Sequence, residues 1–140
     1  MKKQLLMFLG LGLLAATSAF AQSIPLKANV PFNFVVSGGT LPGGEYTIRS
    51  ETTDPEHEFT IAGIGQTPSV FLSVPCLTLK SGRLSKQTKL VFDRYGDQYF
   101  LSEIWIKGKG VGQKLLKTRR EAEMAKNNSL QQTVILAELH

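Results

Sequence analysis

Leu90-Val91-Phe92-Asp93-Arg94-Tyr95-Gly96-Asp97-Gln98-Tyr99-Phe100-Leu101-Ser102-Glu103-Ile104-Trp105-Ile106 decides the fold. Two runs rich in β-branched and aromatic residues flank Gly96-Asp97, a dipeptide suited to a two-residue hairpin turn. With that pair as the loop, Arg94 faces Tyr99, Phe92 faces Leu101, Leu90 faces Glu103 and Thr88 faces Trp105. The opposite face then holds Asp93 with Phe100, Val91 with Ser102 and Lys89 with Ile104. Both faces carry large apolar groups, so the hairpin is expected to be central and covered on both sides.

The pattern extends outward from there. Short runs near 28–36, 45–51, 58–64, 70–79 and 131–139 read as further strands, separated by glycine, proline and polar residues. Val30, Phe32, Phe34 and Val36 alternate, which puts four apolar groups on one sheet face. Pro31 lacks an amide donor and marks an edge or a bulge. Leu41-Pro42-Gly43-Gly44 reads as a type II turn with Gly43 at positive φ. Tyr46 and Ile48 face inward on the strand after it. Thr118 and Glu121 form a capping box that opens a helix over 119–126. Asn127-Asn128 is a left-handed stop. A helix this short must pack on the sheet, through Ala122, Met124 or Ala125. The expected fold is all-β: a single β-sandwich or partly open barrel of about seven strands with one short helix near the C-terminus.

Lys2 and Lys3, the apolar run from Leu5 to Ala16, and Ala19-Phe20-Ala21 together have the form of a secretory signal peptide over residues 1–21. The run is shorter than the about 20 residues of a membrane span. The expected exported domain is 22–140, located in the periplasm or outside the cell, with no transmembrane helix. Of the chain's 140 residues it keeps 119, and its net charge falls from +5 to +3 because Lys2 and Lys3 leave with the leader. An outer-membrane barrel is not expected, since the strands are short and do not alternate cleanly for lipid. Cys76 is the only cysteine, so an internal disulfide is excluded. Its apolar neighbours favour a packed thiol over an intermolecular bridge or a reactive group.

Three segments carry the resemblance of this chain to known sequences. They are Leu41-Pro42-Gly43-Gly44-Glu45-Tyr46-Thr47-Ile48, the hairpin from Leu90 to Leu101 with Ile104-Trp105, and Thr118-Arg119 with Glu121, Glu123 and Ala125. The chain resembles an uncharacterised family of small exported β-rich proteins from soil bacteria. The resemblance implies an exported β-rich domain and transfers no catalytic residue.

Several groupings bear on chemistry. Arg94, Tyr99, Glu103 and Trp105 share one face in the expected register. They form either a structural charge pair among aromatics or a ligand-binding pocket. Asp54, Glu56, His57 and Glu58 read as a solvated acidic loop, since their spacing fits no calcium loop. Gly108, Gly110 and Gly112 read as a flexible connector, because no strand–loop–helix nucleotide motif surrounds them. Residues 107–120 hold Lys107, Lys109, Lys114, Lys117, Arg119 and Arg120 with no acid, and residues 80–89 add Lys80, Arg83, Lys86 and Lys89. Together these form a candidate surface for an anionic envelope polymer or lipid headgroups. Nucleic acid is not expected as a partner of an exported protein. No catalytic spacing, metal set or cofactor motif is present in the sequence pattern.

The expected function is therefore a non-catalytic exported binding or structural module. The alternatives are a small-molecule carrier, with a barrel interior lined by Phe32, Phe92, Tyr99 and Trp105, and a hydrolase built around His57.

Overall fold

A computed structural model describes residues 25–51, 57–65 and 71–139. The expected signal peptide, Asp54 and Glu56 lie outside these residues, as does the side chain of His57. The elements are β1 (Leu26–Val30), β2 (Phe34–Val36), β3 (Gly39–Leu41), β4 (Gly44–Glu51), β5 (His57–Gly63), β6 (Phe71–Lys80), β7 (Lys89–Tyr95), β8 (Gln98–Trp105), β9 (Val111–Leu115), α1 (Arg119–Asn127) and β10 (Leu130–Leu139).

The fold is all-β with one short helix. Eight strands close a barrel in the order β1-β4-β5-β6-β9-β8-β7-β10, and β10 returns to β1. Every pairing around this barrel is antiparallel. The remaining strands, β2 and β3, form a small hairpin through Ser37-Gly38, both at positive φ. That is the conformation a two-residue hairpin favours. It joins the wall through one parallel contact, Val35 with Phe100.

Closure depends on β9. The sequence pattern makes Gly108 to Gly112 a connector, whereas Val111–Leu115 bridges β6 and β8. Glycines hide this strand. Gly108 sits at φ +83 in the β8–β9 turn, and Gly112 lies beneath the Trp105 indole. A Cβ on Gly112 would come within 2.6 Å of that ring.

An eight-stranded barrel has an interior that side chains can fill. Here Val30, Tyr46, Phe59, Ile61, Val74, Leu90 and Phe92 are at most 1% exposed and fill the interior as one packed cluster. Phe34 packs edge-on against both Tyr46 and Phe92. The Tyr46 hydroxyl donates to the Pro42 carbonyl, which ties β4 to the preceding turn. Gly43 is not at positive φ. A Cβ there would meet Phe32 N and Val30 O at 3.1 Å, so close backbone approach, not a type II turn, explains the glycine.

Helix α1 lies across the outside of β7 and β8. Met124 and Ala125 pack on Val35, Tyr95 and Phe100. The hairpin is covered on both faces, as its composition requires. Thr118 accepts a hydrogen bond from Glu121 N at 3.3 Å and caps the helix. The other end differs from expectation: Asn128 is extended, and its side-chain amide donates to the Met124 carbonyl at 3.0 Å. Among the described residues no helix is long and apolar enough to cross a membrane.

Candidate functional site

The hairpin keeps the expected register only near its turn. Arg94 pairs with Tyr99, Asp93 with Phe100 and Phe92 with Leu101. A bulge at Ser102 then shifts the ladder, so Glu103 faces Val91, Ile104 faces Leu90 and Trp105 faces Lys89. Side chains alternate with period two, so one extra residue moves all later ones to the other face. The four hairpin residues therefore do not form one pocket.

Arg94 and Tyr99 stay together at the turn end of the barrel. The guanidinium carbon lies 5.2 Å from the Tyr99 ring centroid, and Nε donates to the Gly96 carbonyl at 2.8 Å. Tyr99 also stacks on Phe32 at 3.8 Å, and Phe32 meets Phe92 edge-on. These rings, with the β2–β3 hairpin, plug that end. Glu103 and Trp105 sit on the outer wall instead. Trp105 Nε1 donates to Glu103 Oε2 at 2.9 Å, and Lys114 is the cross-strand partner of Glu103. Trp105 thus does not line the interior; Phe32, Phe34, Tyr46, Phe59, Phe92 and Tyr99 supply the aromatic lining.

The basic residues divide between the two ends. At the plugged end, Arg119 bridges Glu123 at 3.4 Å, and Arg120 donates to the Gln98 amide oxygen at 3.0 Å. Lys114 and Lys117 are close enough to act on Glu121. At the opposite end the β6–β7 loop runs along the β8–β9 turn. Ser81 N donates to Gly110 O, Ser85 N to Lys109 O and Gly108 N to Ser85 O, all within 2.9 Å. Lys107 N donates to Thr88 Oγ1 at 3.0 Å. These bonds hold Lys80, Arg83, Lys86, Lys107 and Lys109 on one rim, all five exposed. The two loops contain no acid, and among the described residues none of the five cations meets a carboxylate. Strand β9 separates Lys109 from Lys117 by roughly 15 Å or more. The expected patch over 107–120 is thus two groups, and Lys80 to Lys86 joins only one of them.

The sequence pattern assigns Glu121 a capping role and places Asp93 opposite Phe100, but does not mark the two as a buried pair, 4% and 6% exposed for Asp93 and Glu121 on the outer wall beside α1. Asp93 Oδ1 accepts from Gln132 Nε2 at 3.2 Å. Burial first, and Asp93 second, push the Glu121 carboxyl above its ordinary range, while Lys117 and Lys114 pull it back. The mark of such a residue is faint, a carboxylate at the third helical position that usually faces solvent. Cys76 is buried on β6, which is paired on both sides, and burial pushes its thiol up to about 11. That is the environment of an unreactive packed thiol.

No family model, curated protein or solved structure matches this chain.

Proposed function

We propose that this chain is an exported, non-catalytic binding module, a rigid barrel that offers a cationic rim to anionic groups of the cell envelope. The observation that carries the reading is a set of exposed cations, Lys80 at the end of β6 and Arg83, Lys86, Lys107 and Lys109 on two loops hydrogen-bonded to each other, that meet no carboxylate among the described residues. Fixed like charges without internal partners raise a local potential that concentrates anions and is screened by salt. The test is binding to an immobilised soluble polyanion, dextran sulfate, at increasing ionic strength. Wild type should bind at low salt and release progressively. A combined Arg83→Ser, Lys86→Ser, Lys107→Ser and Lys109→Ser variant should lose that binding. Equal binding by the variant would refute the assignment to this rim.

The carrier reading draws on a different observation, the aromatic lining of the closed barrel. It requires Phe32 and Tyr99 to leave their stacked position, because the interior below them is filled. Saturable uptake of an apolar dye by wild type, blocked when Phe32 is enlarged to Trp, would favour it.

A further inference from the structure

We infer that the anionic partner of the rim is the surface of a lipid bilayer, and that Leu84 is the group that enters it. This rests on the rim reading above and adds the chemistry of the partner. Leu84 is 67% exposed, the most exposed large apolar side chain among the described residues. It stands in the β6–β7 loop between Arg83 and Lys86, with Lys107 and Lys109 on the adjoining turn. Val111, 45% exposed, follows that turn and pairs with Lys80.

A soluble polyanion uses only the cations. It leaves the leucine in water, where an exposed apolar group gains nothing from the contact. A bilayer surface uses both kinds of group. Lipid phosphates meet the lysines and arginine, and the acyl boundary receives the leucine. The long basic side chains can keep their heads in the headgroup layer while their stems lie along the apolar boundary. A second copy of the chain is a poor occupant, since facing rims would oppose like charge with like charge. The loop is already held by backbone bonds to the β8–β9 turn. Docking therefore orders little additional chain, which removes one cost of association.

The experiment measures the full chain on vesicles of equal parts phosphatidylglycerol and phosphatidylcholine. The readout is excess binding over pure phosphatidylcholine vesicles, and every variant carries the same leader with Lys2 and Lys3, so differences between wild type and variants come from the rim. Leu84→Ser should lower this excess roughly tenfold or more, as expected when a leucine no longer leaves water. Leu84→Phe should retain it, and both variants should bind dextran sulfate as wild type does. The four-site serine variant should lose vesicle binding roughly a hundredfold or more. If Leu84→Ser binds vesicles like wild type while the serine variant loses them, the leucine does not enter a bilayer and the rim reading stands. If wild type binds dextran sulfate but shows no excess on anionic vesicles, the bilayer is excluded and a soluble polymer is the partner. If wild type binds neither, both readings fall.

Discussion

The two ends of the barrel carry cations and treat them in opposite ways. At the plugged end Arg119 has Glu123, Arg120 has Gln98, Arg94 lies over Tyr99, and Lys117 acts on a buried carboxyl. At the rim five exposed cations meet no carboxylate among the described residues, and Leu84 stands beside them 67% exposed. Cations engaged within a fold serve its own packing and charge balance. Those held rigidly without partners represent unused interaction energy, which is where a binding surface is expected. Under the proposed function, one end serves stability and the other recognition.

Mutations can break that division. The largest expected effect is at the plugged end: Phe92→Ala removes a fully buried ring that touches both Phe32 and Phe34. Urea unfolding should show a loss of about 3–5 kcal/mol. A loss under 1 kcal/mol would mean the aromatic plug does not hold the barrel. Next, Thr118→Ala removes the helix cap and should cost about 1 kcal/mol, read from the same denaturation curves.

Glu121 gives a smaller effect with a defined sign. Its folded carboxyl binds a proton more readily than in the unfolded chain, so between its two pKa values the native state holds more protons. Its contribution to stability is therefore greatest below the ordinary carboxylate range and falls as pH rises through the raised folded value. Glu121→Gln should melt higher than wild type at neutral pH and show a flatter dependence of Tm on pH across that range. A variant that melts lower at neutral pH would mean the ionised carboxylate is well satisfied beneath α1. The smallest stability effect belongs to the rim. The four serine substitutions should change unfolding by no more than about 0.5 kcal/mol. A larger loss would show that the rim cations support the fold and would erase the contrast.

Much of this architecture is legible in the residues. Gly96-Asp97 between two β-rich runs specifies the hairpin turn, and Thr118 with Glu121 specifies the helix start, because both depend on neighbours a few positions away. The same holds for Tyr46 and Ile48 on the inner face of β4. Strand β9 is not legible, because glycine lowers strand propensity and Gly112 makes sense only once Trp105 lies over it. The Ser102 bulge is equally hidden. A single unpaired residue leaves no compositional mark, yet it separates Glu103 and Trp105 from Arg94 and Tyr99.

The sequence by itself determined the central hairpin turn, the helix start, the all-β class and the charge of each segment. Tertiary structure decided which strands are neighbours, which face each side chain takes and which cations stay unpaired. The physical reason is range. Turn and cap chemistry act over a few residues, whereas barrel closure joins Val111–Leu115 to both β6 and β8 and sends Lys109 and Lys117 to opposite ends of one strand.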